Sequence, residues 1–381
     1  ADYVGAMMAE KLGARTLARW QQGVLDDLLG APHPARPDQL IHLEFEERKA
    51  IMAKEYHAYA MADMMTVQLL ERFPEAQRGQ KLAAYFEALG EGATGEDAFA
   101  QTFGLTLDDF LQEFTSWWQR QKSQPAAIQI DAREGITEGQ ADFYAAQASA
   151  VQQLLARRFG QTLHGSYTLV LANGKDDLAR AVSDYSDMTP AEAKKTVGES
   201  LWLENGSTLF LDTAALDSER QQIFSMGVML TRVMEAQAMG GTEKEVAWLA
   251  RGAAYLIGTL RLEEEGLGSL ADYRRTWYSV LQEKGSFPDA ASLTTPQAYE
   301  QACASFGDES CSIVAELAAD DLFARRGWGS FTKWMRAANL ADGDGEKAFQ
   351  SVYGTSPNAY ASSASARLLR EMNRESSMYT R

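Results

Sequence analysis

The sequence predicts a mainly α protein with a small β-sheet, an α+β chain that repeats part of itself. Three observations carry this. Apolar residues recur at helical spacing along most of the chain, as in Leu17, Trp20, Val24, Leu25 and Leu28. Convincing strands are confined to residues 167–211. Helical segments near the start of the chain also recur, in the same order, near its end.

Taken in order, residues 1–30 carry two helical stripes, Tyr3, Val4, Met7, Met8 and Leu12, then Leu17 to Leu28. Pro32, Pro34 and Pro37 break the chain. A long helix is expected from about Phe45 to Phe73, then a shorter one through Leu82, Tyr85, Phe86 and Leu89. Ala98, Phe99 and Phe103 make a short helix stopped by Gly104, and Thr106 caps the next, which holds Leu107, Phe110, Phe114 and Trp117. Ser123-Gln124-Pro125 reads as a boundary. An amphipathic helix spans 137–160. Tyr167–Leu171 reads as a strand, and 200–203 with 207–211 as a hairpin turning at Asn205-Gly206. From Asp217 the pattern is helical to about Met372, and the polar tail beyond is expected to fray.

Composition bounds the function. The 381 residues are 45% apolar, enough for two or three compact units. Lys and Arg number 36 against 53 Asp and Glu, a net charge of −17. Duplex nucleic acid and anionic membrane surfaces, which need a concentrated positive patch, are therefore not expected as main partners. No apolar run reaches the ~18–20 residues that span a bilayer. No signal peptide opens the chain, and Ala1-Asp2-Tyr3 reads as helix interior, as in a processed or truncated product. With only Cys303 and Cys311, a cysteine zinc site is excluded.

The repeat is the most informative feature. Ala98-Phe99-x-x-x-Phe103-Gly104 returns as Ala348-Phe349-x-x-x-Tyr353-Gly354, and Phe110 as Tyr360 at the same spacing. Leu82-x-x-Tyr85-Phe86 returns as Phe331-x-x-Trp334-Met335, Leu17–Trp20 as Leu270–Tyr273, and Ala1–Val4 as Ala253–Leu256. One register held across five segments implies one complete copy, roughly 126–381. Residues 1–125 then match only the C-terminal half of another copy, so the chain is expected to be the C-terminal portion of a longer precursor.

Trp248-Leu249-Ala250-Arg251-Gly252-Ala253-Ala254-Tyr255-Leu256 resembles the W-L-x-E-G-x-A-x-Y motif of gluzincin zinc metallopeptidases of the bacterial peptidase MA-like kind. The recurring Ala-Phe-x-x-x-aromatic-Gly resembles the end of their helical region. The resemblance implies a zincin-like domain with helical C-terminal regions, in tandem, the first unit truncated. Residues 1–125 would be the helical half of a first repeat, 126–258 the sheet-and-helix region of the second, and 259–381 its helical half. The resemblance also implies a helix carrying HExxH upstream of Trp248. The best register on Ile223–Met234 puts Ser225 and Met229 at the two histidine positions and Met226 at the catalytic glutamate; Arg251 stands at the third zinc ligand. No histidine occurs between Gly165 and Arg381. Ser and Met supply neither imidazole nor base, and a guanidinium stays protonated and cannot ligate. No bound metal and no cofactor are expected here. Arg251 would pair with a carboxylate or point outward, or else, with Tyr255, line a cleft that still binds peptide or an anion.

Other constellations are weaker. His42 and Glu46, with His57 following, have ligand spacing on a helix but no third ligand pattern. His164 reads as an exposed loop residue. Cys303 and Cys311 flank a Gly/Asp/Ser segment and are a disulfide candidate or, alternatively, two buried thiols. The function expected is that of a non-catalytic pseudopeptidase acting through interaction surfaces, in the bacterial envelope or secreted. The rival is the C-terminal part or subunit of a zinc metallopeptidase whose HExxH lies upstream of Ala1. Either way, helices of 1–120 lacking a sheet layer would expose an apolar face. A protein partner, an upstream fragment of the same precursor or self-association is expected to cover it.

Overall fold

The computed structural model describes residues 2–13, 16–30, 34–42, 46–47, 57–240, 245–341 and 344–379. The chain divides into two units. The first takes 1–125 with 164–166, and the second takes the remainder.

In the first unit the helices are α1 (Asp2–Lys11), α2 (Leu17–Gly30), α3 (Pro37–His42), α4 (His57–Leu70), α5 (Glu75–Gly90), α6 (Gly95–Phe103) and α7 (Leu107–Ser123). Much of the long helix expected from Phe45 lies outside the described residues; its described end is α4, which stops at Leu70. The core gathers Leu28, Met61, Met64, Leu70, Phe99 and Phe114, each nearly inaccessible. Not every apolar face finds cover. Val4, Met8 and Leu12, one turn apart on and just past α1, are 51%, 54% and 80% exposed.

The second unit opens with β1 (Ala127–Ala132), a strand the sequence did not announce, then α8 (Glu138–Phe159), whose start is fixed by a capping box between Thr137 and Gln140. Next come β2 (Ser166–Ala172), α9 (Lys175–Tyr185), α10 (Pro190–Val197), β3 (Trp202–Asn205) and β4 (Thr208–Asp212). The sheet order is β1-β2-β4-β3. Strand β4 pairs parallel with β2 and antiparallel with β3, turning at Gly206 (φ 60°) as the Asn-Gly pair predicts. Alternation sorts its side chains. Leu169, Leu171, Leu209 and Leu211 enter the main core, while Val170, Ala172 and Phe210 pack on α9 and α10.

The rest is helical: α11 (Glu219–Met239), α12 (Ala247–Glu264), α13 (Leu270–Lys284), α14 (Pro296–Phe306), α15 (Asp308–Arg326), α16 (Gly329–Leu340), α17 (Gly345–Tyr353) and α18 (Pro357–Tyr379). Helix α12 is the centre, packed between α11 and α15. Glycines permit the close approach. A Cβ on Gly227 would collide with Gly258 across the α11–α12 contact, and one on Gly252 with the Ala315 carbonyl of α15.

The two segments 98–110 and 348–360, alike in sequence, have the same local geometry. Gly104 (φ 77°) ends α6 and Gly354 (φ 73°) ends α17, both in the left-handed conformation that suits glycine. Thr106 and Ser356 then accept from the backbone N–H of Asp109 and Ala359 to start α7 and α18. The ring centroids of Phe99 lie 4.9 Å from Phe103 and 5.8 Å from Phe110; those of Phe349 lie 4.4 Å from Tyr353 and 6.1 Å from Tyr360.

Candidate functional site

Arg251 is where the sequence locates its question. It sits one turn into α12, on the side that meets the end of α11, and its surroundings are charged and buried. Arg232, on α11, donates from Nη1 to Glu235 at 2.6 Å and from Nη2 to Glu245 at 2.7 Å. Glu245 lies just before α12, and its other oxygen is 3.7 Å from Arg251 Nε. The Arg251 guanidinium also lies 4.3 Å above the Tyr299 ring of α14. Two guanidiniums and two carboxylates thus share one enclosed site, with Glu235 and Glu245 almost fully covered.

Burial governs the protonation here. It pushes the Glu235 carboxyl up to about 8, with Arg232 opposing the rise and Glu245 adding to it. Arg232 is held above the usual guanidinium range, because attraction to Glu235 and Glu245 outweighs its own desolvation. The Oε1 of Glu235 has no hydrogen-bond partner among the described residues. A perturbed buried acid is a candidate functional group. This one is completely enclosed and out of reach of solvent.

The remaining residues singled out by the sequence do not join this cluster. Met226 and Met229 are fully buried core side chains of α11. Ser225 is half-buried beside them. Tyr255 stacks on Phe224 with centroids 6.1 Å apart and planes 6° from parallel. The outward option for Arg251 is not taken; it pairs with Glu245. Cys303 and Cys311 are free thiols, not the disulfide anticipated. They sit on α14 and α15 either side of the turn at Gly307 and hydrogen-bond to each other, and burial pushes both upward. His164 is half-buried, with Nδ1 3.4 Å from the Gln124 carbonyl, rather than exposed. The side chain of His42 lies outside the described residues.

The donor set does not fit a catalytic zinc. A gluzincin centre needs two imidazoles, a carboxylate ligand and a carboxylate base. Around Arg251 the carboxylates are already bound to guanidiniums, and these cannot coordinate a cation. Among the described residues, no group of three or more His, Cys, Asp or Glu is arranged to hold a metal. No described helix is long and apolar enough to cross a membrane. Sequence reasoning missed Arg232, Glu235 and Glu245. Arg232 follows Met229 by three residues on α11, so helical periodicity alone could have flagged it as a second cation near Arg251.

No family model and no curated protein matches the sequence. Solved structures similar to it are M1 zinc metallopeptidases. One from Deinococcus radiodurans shares 14% identity, with a TM-score of 0.36 over 62% of this chain and 46% of that one. A mutant of that peptidase gives 16%, 0.35, 61% and 45%. A two-domain M1 zinc metallopeptidase mutant bound to L-arginine gives 14%, 0.38, 63% and 47%. This chain spans less than half the length of each.

Proposed function

We propose that this chain is a peptidase-derived protein whose second unit has lost catalysis and acts through binding surfaces, in the bacterial envelope or outside the cell. The observation that carries the reading is Arg251. It occupies the third-ligand position of the W-L-x-E-G pattern and is tied to Glu245 and Tyr299. A cation of the protein's own thus stands where the resemblance would put a metal, compensated by Glu245 and, through it, linked to Arg232. Met226 and Met229 support the same reading, since methionine fills space at positions where an active helix would present a base and an imidazole. The test is metal analysis and peptide hydrolysis on one sample. After loading with zinc and desalting, the chain should retain no stoichiometric zinc and hydrolyse neither aminoacyl nor internal peptide substrates. Equimolar zinc with chelator-sensitive hydrolysis would overturn the reading.

One observation favours the second reading, in which the chain completes a zinc peptidase whose HExxH lies on an upstream segment. Val4 and Met8 of α1 are exposed, while the matching residues of α12, Leu256 and Leu260, are buried. Zinc and activity appearing only when the native protein is isolated with an additional fragment would support that reading over the first.

A further inference from the structure

Asp and Glu outnumber Lys and Arg by 53 to 36, yet three stretches, 143–175, 322–341 and 347–370, contain neither acid. The fold of the second unit brings these stretches together. Thr332, near the start of α16, donates to the Phe159 carbonyl at the end of α8. The Phe159 ring centroid lies 5.5 Å from that of Trp328 and 4.8 Å from that of Phe331. Arg326, the last residue of α15, donates to the Tyr353 carbonyl at the end of α17.

Four cations stand at this junction. The Arg158 guanidinium lies 5.3 Å from the centre of the Trp328 ring, which holds the charge in place without neutralising it. Arg326 reaches the Tyr353 carbonyl at 3.4 Å. Lys333 and Arg336, one turn apart, lie on the exposed face of α16, whose other side carries Phe331, Trp334 and Met335 into the core. All four cations are exposed, and among the described residues no carboxylate pairs with any of them. Their neighbours show the contrast: Arg157 is paired with Glu264, and Arg325 with Asp321. Helix C-termini attract basic residues for their own dipoles, which accounts for Arg158 and Arg326. It does not account for Lys333 and Arg336 in the body of α16.

We propose that this surface of the second unit docks a short acidic segment of a partner protein. The extent of the patch chooses among anions. Salt screens exposed charges over about 8 Å at physiological ionic strength, so a ligand feels only the charges it lies against. A few Asp or Glu side chains on a short segment meet the four cations alone. A membrane plane or a duplex extends well beyond them, across a chain whose net charge is −17. The inference deepens the binding role proposed above by naming a surface and a partner chemistry, and to that extent rests on it.

Fluorescence anisotropy of a labelled hexaglutamate peptide, titrated with the full chain, tests it. Saturable binding that weakens as salt is raised is expected. Arg336→Glu reverses an exposed charge and should weaken binding by about tenfold while the circular dichroism spectrum is kept. Lys195→Glu makes the same change of charge on α10, over the other face of the sheet, and should leave binding as it is. No saturable binding at low salt up to millimolar peptide would overturn the proposal, and so would equal losses in the two variants. Phosphatidylglycerol vesicles and a single-stranded oligonucleotide decide the partner class. If either binds more tightly than the peptide and loses that binding in Arg336→Glu, the partner is not a protein segment and the proposal falls. Such a failure leaves the Arg251 argument standing, since metal content and hydrolysis are read separately; zinc-dependent hydrolysis would sink the non-catalytic reading and leave this surface in place.

Discussion

At the scale of single residues, the buried acids make the sharpest statements. Glu316 on α15 accepts a hydrogen bond from Thr259 on α12 at 2.6 Å and is nearly inaccessible. Burial pushes its carboxyl up to about 8, Thr259 opposes this, and Asp320 one turn on adds to it. Tyr273, under the Arg220 guanidinium, also lies within its electrostatic reach. Because the folded state holds this acid protonated while the unfolded chain ionises it near pH 4.5, the fold is favoured most below that pH. The advantage is lost as pH rises towards 8. Glu316→Gln should remove that slope. Its melting temperature should change less than that of the wild type between pH 5 and 8.5, and an unchanged slope would refute the assignment. Gly252 is a steric counterpart. Its Cβ would enter the Ala315 carbonyl, so Gly252→Ala should destabilise by about 1–3 kcal/mol in urea unfolding. The glycine of the Trp-Leu-x-x-Gly motif was legible as a motif residue; that it is a close-approach position was not, because α15 lies some sixty residues away in sequence. The Arg232–Glu245–Arg251 cluster was hidden although its members lie only 13 and 6 residues apart. Pattern reading finds residues one turn apart, whereas Glu245 reaches both arginines only because α11 and α12 pack on one another.

At the scale of elements, local chemistry was readable and partner choice was not. Thr106, Thr137 and the Asn205-Gly206 turn act where the sequence puts them, since caps and turns depend on neighbours three residues away. Strand β1 escaped because Ala127–Ala132 is short and becomes a strand only beside β2. The two Gly-capped turns invite a matched test. Gly104→Ala and Gly354→Ala each force a side chain into a left-handed backbone with nothing nearby to clash. Each should cost about 1–2 kcal/mol, and the two costs should be alike. Markedly unequal costs would mean that the two turns are not equivalent. The α14–α15 turn makes a different prediction. Cys303 and Cys311 face each other, but burial keeps both thiols protonated, so oxidation needs the small thiolate fraction. Treatment with oxidised glutathione should remove both free thiols together, roughly tenfold faster per pH unit below their raised titration range. If one thiol reacts alone and the other stays free, the facing geometry is wrong.

At the scale of the molecule, the contrast between the two units decides the last prediction. The second unit places α12 between α11 and α15, with Trp248, Leu249, Leu256 and Leu260 all covered. The first leaves Val4 and Met8 of α1, with Leu12 just past it, in solvent, and an open cavity over Phe99 and Phe110. Its core is smaller, and each core is closed on itself. Stability follows buried apolar area less the entropy of ordering the chain, so the unit with the uncovered helix face should open first. Calorimetric unfolding of the intact chain should then resolve two transitions. Removing the Trp334 ring, which donates its N–H to the Gly345 carbonyl within the second core, should lower only the upper one. Met61→Ala, in the first core, should lower only the lower one by about 2–5 kcal/mol, the cost of an emptied core position. If either substitution moves both transitions together, the units fold as one. If each moves its own, each unit stands on its own core, the first on Leu28, Met61, Leu70 and Phe114 and the second on Trp248, Phe331 and Trp334.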